Sequence, residues 1–412
     1  MRRVALLSLG CKVNQAEWQE LEAALRQRGY QIVGLSEQPE LCIVNTCTVT
    51  AKSDYQSRQL IRRAHRSGAK VIATGCYSQL NPSIVKSLAP QVEVVSNENK
   101  FNIIKMLDEK TSCNTLNYSL IQGRSRLFLK IQDGCNWRCT YCLIPRARGR
   151  PRSMPPEEVI RRLRQAHEAG YTEVVLTGIH LGLYGADRGE SLYGLLRRAL
   201  KETGIRRIRL SSLELGELQG GLLELMHSGR LCRHLHVPLQ SGSDRVLALM
   251  RRPYRAQEFV DKVGELASKV AGLALGTDVI VGFPTEREED FQATYQVLKA
   301  LPLSYVHVFP FSARPGTEAS AMVPKVAPEE VKERVAALRT LAQVKREAFL
   351  GAQVGQVLEA VVLRAEGEGF LGLTDNYAQV LLASEQPLRC RGTVNAAIKG
   401  HNRQWLLAEA VS

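Results

Sequence analysis

The sequence predicts an α/β protein in three parts: a small parallel α/β-sheet domain over residues 1–120, a partial (β/α)6 barrel over 121–349, and a small β-barrel over 350–412. Three observations predict this. Short β-rich runs alternate with amphipathic helices from the start, which is the pattern of a parallel sheet. Six further strand candidates, each followed by helical sequence, fill the middle of the chain, as in an open form of the eight-fold barrel. From Gly351 the sequence turns β-rich and glycine-punctuated, as in GQVLEAVVLRAEGEGFLGLTDNYAQVLLA.

In the first domain, strands are expected at residues 4–8, 42–45 and 71–74. Helices are expected over 16–28 and 53–66, because each amphipathic stretch stops at a glycine, Gly29 or Gly68, where a C-terminal cap belongs. A polar stretch over 108–126 separates this domain from the next. The barrel strands are expected at 127–132, 173–177, 206–211, 234–238, 277–282 and 305–310, with segments such as PPEEVIRRLRQAHEAG between them. An amphipathic helix over 328–349 leads to the tail, which reads as about five strands.

Composition narrows the function. Hydrophobic residues make up 44% and charged residues 23%, ordinary for a soluble globular protein, and no apolar run approaches the length that spans a bilayer. The opening MRRVALLSLGC imitates a lipoprotein signal, but its apolar part is too short and continues into a strand–loop–helix pattern. A cytoplasmic location without membrane contact is expected, and there ten cysteines point to metal or catalytic use rather than disulfides. The formal net charge of +14 suits a polyanion, nucleic acid first. It is unevenly spread, at +5 for residues 1–120, +10 for 121–350 and −1 for 351–412.

DGCNWRCTYC places Cys135, Cys139 and Cys142 directly after the first barrel strand, at the edge where barrel enzymes keep their sites. Three thiolates this close can converge on a zinc ion or a cubane cluster, and both want a fourth ligand. His167 or His180 would complete a zinc site, although the spacing lacks the usual paired CxxC arrangement. A redox pair, Cys139 with Cys142, leaves Cys135 without a part.

C-x3-C-x2-C after the first strand of such a barrel, with Tyr141 just before the last cysteine, resembles the radical S-adenosylmethionine (SAM) superfamily. That resemblance implies a 4Fe–4S cluster on these cysteines with SAM as the fourth ligand. It also assigns the later strand ends LTGIHLG, SSLE, PLQSGS and VIVGFP to SAM binding. Gly178 would lie near the amino group, Ser212 and Glu214 near the ribose and amino-acid end, Gln240 and Ser241 facing the pocket, and Ile280 to Gly282 against the adenine.

A second triple is scattered in sequence. Cys11, Cys47 and Cys76 each follow a predicted strand of the first sheet within two or three positions, in LLSLGC, IVNTC and VIATGC. In a parallel sheet those loops share one edge, so three thiolates meet there, which favours a second cluster. Cys42, Cys232 and Cys390 fit the pattern of buried apolar cysteines.

LGCKVNQAE, NTCTVTAKSD, GCYSQ, CNWRCTYC, TDVIVGFPTEREEDF and GLTDNYAQV together resemble the methylthiotransferase family over essentially the whole chain, with a tail similar to the family's RNA-binding TRAM domain. The resemblance implies two 4Fe–4S clusters, two molecules of SAM per turnover, a flavodoxin- or ferredoxin-like electron donor, a sulfur donor and, as substrate, a tRNA anticodon loop or an aspartate of a small-subunit ribosomal protein. The motifs around the first three cysteines are most similar to the branch that converts N6-threonylcarbamoyladenosine to its 2-methylthio form; the isopentenyladenosine and ribosomal-protein branches are the alternatives. Beside the cluster loop, IPRARGRPRS carries Arg146, Arg148, Arg150 and Arg152 at every second position. An extended conformation, favoured by the flanking prolines, would aim all four at RNA phosphates or bases. From a different class, the rival reading is a non-catalytic, zinc-stabilised RNA-binding protein.

Overall fold

The computed structural model describes residues 2–107, 116–218 and 220–411. Most of the polar stretch expected to separate the first two domains, residues 108–115, lies outside the described residues. The N-terminal sheet is parallel throughout, with strands β1 (Arg3–Ser8), β2 (Gln31–Val33), β3 (Leu41–Thr46), β4 (Lys70–Gly75) and β5 (Glu93–Val94) in the order β2-β1-β3-β4-β5. The sequence misses β2 and β5 because each is too short to show a period. Helices Lys12–Gln27 and Ala51–Arg66 end as expected before Gly29 and Gly68, both at positive φ. The second starts at Thr50, whose hydroxyl accepts from Ser53 N.

The central strands are β6 (Leu127–Lys130), β7 (Gln132–Asp133), β8 (Arg152–Ser153), β9 (Glu173–Thr177), β10 (Arg207–Leu210), β11 (His234–His236), β12 (Ala274–Val281) and β13 (Tyr305–Pro310). They form two parallel three-stranded sheets, β6-β9-β10 and β11-β12-β13. Among the described residues one isolated bridge, Ile208 to Leu231, and the hydrogen bond from Leu213 N to His236 O tie the two sheets across the seam. The expected first strand is also divided at Ile131, and β7 pairs antiparallel with β8 beside the cysteine loop.

The tail closes into a barrel of five strands, β14 (Val357–Glu366), β15 (Gly369–Thr374), β16 (Gln379–Ala383), β17 (Thr393–His401) and β18 (Leu406–Val411), around Leu358, Val380, Ile398 and Leu406. Helix Pro328–Gly351 delivers it to the central barrel. One tail turn, residues 373–377, lies across the seam. On the β10 side, Arg207 donates to Leu373 O at 3.1 Å and Arg209 to Thr374 O and Asp375 O at 2.9 Å. On the β11 side, Arg233 pairs with Asp375 at 2.6 Å, Asn376 donates to Gly272 O, and Tyr377 stacks on His234 with centroids 4.1 Å apart.

Glu173 supports that arrangement from below. It is fully buried and pairs with Arg207 at 2.9 Å and Arg209 at 2.8 Å. Burial alone would raise its carboxyl, yet the two guanidinium groups hold it well below the usual carboxylate range. A folded value depressed in this way contributes stability above the unfolded value, near 4.3, and loses it as pH falls toward the folded one. Replacing Glu173 by Ala strands two buried arginines and is expected to cost about 3–5 kcal/mol. Thermal melts at pH 7 and pH 3.5 check this, with the gap between wild type and Glu173→Ala narrowing at the lower pH.

Candidate metal centres

The first cysteine triple forms because β1, β3 and β4 are neighbours in register, with Ser8 opposite Asn45 and Thr46 opposite Gly75. Cys11, Cys47 and Cys76 therefore leave the sheet at one edge. Two glycines allow the close approach. At Gly10 (φ +119°) a Cβ would lie 3.2 Å from Cys47 Cβ, and at Gly75 (φ +95°) it would lie 2.3 Å from Thr46 O. Asn14 fixes the edge by donating to Leu9 O at 2.7 Å and Thr46 O at 3.2 Å. Ser57 Oγ accepts from Cys47 N and donates to Cys47 O. Cys47 and Cys76 are buried, whereas Cys11 opens to solvent.

The second triple sits on a loop closed upon itself. Asp133 accepts from Gly134 N at 2.9 Å, Cys135 N donates to Gly149 O, and Cys142 N donates to Cys139 O. Gly134 (φ +74°) is required because a Cβ there would lie 2.1 Å from Arg150 O. N–H groups reach all three sulfurs: Trp137 N to Cys135 and Ile144 N to Cys142, both at 3.4 Å, and Arg252 Nη1 to Cys139 at 3.6 Å. Such donors stabilise thiolates. The Arg252 guanidinium also pairs with Glu214 and lies over Trp137 and Tyr254.

In neither triple do all three sulfurs lie within 4.8 Å of one another. Tetrahedral zinc with Zn–S near 2.3 Å draws its sulfurs to about 3.8 Å from one another. Among the described residues, the only His/Cys/Asp/Glu group with all ligand atoms within 4.8 Å is His236, Asp278 and His307. A multi-iron cluster, in which each cysteine binds a different iron, suits the wider spacing. Of the two zinc-ligand candidates, His167 packs against Gly204, away from the cysteines, while His180 Nδ1 is 3.4 Å from Cys135 Sγ and its Nε2 is 2.5 Å from Glu217.

The strand-end residues divide. Gln240 (φ +67°) and Ile280 line a cavity of about 210 Å³ together with Tyr141, Asp278 and Phe309. Glu214 faces Arg252 beside Cys139, and Ser212 is exposed. Gly178 leaves room for Gln132, whose Oε1 would be 2.8 Å from a Cβ there. Gly282 is packed beneath Val331. Ser241 does not face the pocket as expected: it is buried behind Gln240 and accepts from Ser243 N. Cys42 and Cys232 are buried as read, but Cys390 is exposed in a tail turn.

The arginine row is overturned as a row. Residues Ile144–Arg148 form a helix, with Pro145 in its first turn, where a missing N–H costs nothing. Arg146 and Arg150 remain exposed; Arg152 pairs with Glu98 at 3.1 Å. Arg148 turns inward and is 1% exposed, pairing with Glu17 at 2.6 Å and Asp133 at 3.4 Å, so it is not available to RNA. Sequence reading missed Glu17, Lys100 and Arg252. The available signal was Glu17, a carboxylate among the apolar positions of its helix.

Burial raises the Cys47 and Cys139 thiols and pushes Cys142 up to about 12. In the metal-free protein at pH 8, about one Cys142 in 10⁴ is a thiolate, against about a quarter of an unperturbed cysteine. Alkylation of Cys142, followed by mass spectrometry, should be at least 10²-fold slower than that of a model peptide and rise about tenfold per pH unit to beyond pH 11.

Comparison with known proteins agrees with this architecture. The radical SAM superfamily profile matches residues 129–298, and the one described as uncharacterized protein family UPF0004 matches residues 3–97. The threonylcarbamoyladenosine tRNA methylthiotransferase MtaB of Aquifex aeolicus (strain VF5) is 41% identical, over 92% of this chain and 96% of its own. Its namesake in Bacillus subtilis (strain 168) is 37% identical, over 94% and 92%. Among solved structures, the radical SAM methyltransferase TsrM of Kitasatospora setae shares the fold with a TM-score of 0.60 at 14% identity, covering 78% of this chain and 75% of that one. On these likenesses the chain belongs to the radical SAM methylthiotransferases of the MtaB type.

Proposed function

We propose that the protein inserts a methylthio group at carbon 2 of N6-threonylcarbamoyladenosine at position 37 of tRNA, using two 4Fe–4S clusters and two molecules of SAM. The observation that carries this reading is the pair of cysteine triples, Cys11, Cys47 and Cys76 gathered at one sheet edge and Cys135, Cys139 and Cys142 on one closed loop. The names of the relatives support tRNA as substrate.

Cys135, Cys139 and Cys142 would hold the SAM-binding cluster and Cys11, Cys47 and Cys76 the sulfur-carrying one. The clusters and SAM supply one-electron cleavage of the sulfonium and the sulfur to be transferred, chemistry beyond any side-chain base because the C–H bond replaced is too weakly acidic. The chain's own residues position and desolvate. Trp137 N, Ile144 N and Arg252 direct N–H groups at the three thiolates of the second loop. Gln240, Ile280 and Tyr141 line the adjoining cavity, which would take the adenine end of SAM, and Glu214, paired with Arg252 beside Cys139, would face its amino-acid end. Arg146 and Arg150 remain as exposed donors for an anticodon loop, whose unstacked bases can enter a pocket at small cost. An electron donor and a sulfur donor complete the proposed partners. Among the described residues no helix is long and apolar enough to cross a membrane.

Two measurements test the proposal. Nucleosides from total tRNA of cells lacking the gene should lose the 2-methylthio form of threonylcarbamoyladenosine and regain it on complementation. If that nucleoside never changes, the substrate assignment fails and the isopentenyl nucleoside and the ribosomal-protein aspartate are next. With purified enzyme, Cys135→Ala should abolish SAM cleavage, whereas Cys47→Ala should retain it and lose sulfur insertion; methylthio product from Cys47→Ala would refute the division of labour.

A further inference from the structure

Five ionisable side chains meet in the space between the two cysteine edges. Glu17 accepts from Lys100, from Lys130 at 2.8 Å and from Arg148 at 2.6 Å. Asp133 accepts from Lys130 at 3.0 Å and Arg148 at 3.4 Å. Arg148 and Lys100 are almost wholly buried, as is Glu17. Three cations thus face two carboxylates, and a buried charge without a counter-charge is costly.

The unanswered charge has a direction. Arg148 Nη1 is occupied by Glu17 and Asp133, and Nη2 by Asn14 at 2.5 Å and Glu17 at 3.3 Å. The remaining N–H, on Nε, points at Cys76 Sγ, 3.2 Å away. The carrier helix is fastened a second time at the same cysteine: Asn97 Nδ2 donates to Ala147 O at 2.8 Å and lies 4.0 Å from Cys76 Sγ. A neutral thiol cannot balance this charge. A thiolate bound to an iron–sulfur cluster can.

We propose that Arg148 is the positioning residue of the N-terminal centre: it fastens Cys76 to the loop of Cys135, Cys139 and Cys142, and its charge stabilises the reduced form of a cluster held by Cys11, Cys47 and Cys76. The inference rests on the two-cluster reading above. Reduction adds negative charge to a cluster, and a cationic N–H donor at a ligand sulfur favours the state carrying more of it. Removing Arg148 therefore lowers the reduction potential of that cluster. The same contact holds the two centres at one separation, because Arg148 follows Cys142 by a single short helix.

The test uses the full chain carrying Cys135→Ala, Cys139→Ala and Cys142→Ala, so that only the N-terminal triple can load, reconstituted anaerobically with iron and sulfide. Iron content and an EPR-monitored redox titration are compared with and without Arg148→Gln. That change leaves two cations facing two carboxylates, so the pocket stays balanced and iron content should hold. The expected result is at least a tenfold lower reduced-to-oxidised ratio at fixed poise, a fall of about 59 mV for a one-electron couple. An unchanged potential at unchanged iron content overturns the inference alone. Absence of a cluster from the parent chain overturns the two-cluster reading and this inference together. Should Arg148→Gln not accumulate, Arg148→Lys keeps the charge but loses the planar N–H aimed at Sγ; a smaller fall supports the inference and none overturns it.

Discussion

Glu17 joins elements that lie far apart along the chain: its own helix behind the first cysteine loop, Lys100 beyond the N-terminal sheet, Lys130 at the end of the first barrel strand, and Arg148 just past the second cysteine loop. None of these charges could stay buried alone, since removing an ion from water costs several kcal/mol that only close partners offset. The N-terminal sheet and the barrel therefore become mutually dependent. Each supplies the counter-ions that make the other's buried charges tolerable, and the mouth between them closes as one object. The other features of the centre hang on that closure. Asp133, held by Lys130 and Arg148, also receives Gly134 N and so sets the turn from which the second cysteine loop starts.

Much of the architecture was legible because it depends on local period. Strands separated by amphipathic helices give a parallel sheet, and a cysteine placed just past each of three strands marks one edge of it. β2 and β5 were hidden because strands of three and two residues have no period to read. The seam between β10 and β11 was hidden because strand runs do not reveal which neighbours fail to pair.

The arginine row shows where local reading loses. An alternation of arginines between prolines suggests an extended, solvated stretch. In the folded chain Pro145 opens a helix instead of preventing one, and Arg148 is drawn inward to a carboxylate 131 residues earlier. Long-range charge pairing decided that side chain's direction, and nothing within ten residues of it carried the information. Ser241 is a smaller instance: the backbone turn at Gln240 sends consecutive side chains to opposite sides, one to the cavity and one to the protein interior.

The tail turn at residues 373–377 touches both halves of a barrel whose own strands barely meet at that point. The small barrel is therefore a structural clasp as well as an appended module. A shortened chain lacking it would leave that seam without the turn that bridges it. Domain swaps between relatives face the same condition: a transplanted tail must bring a turn that fits this seam.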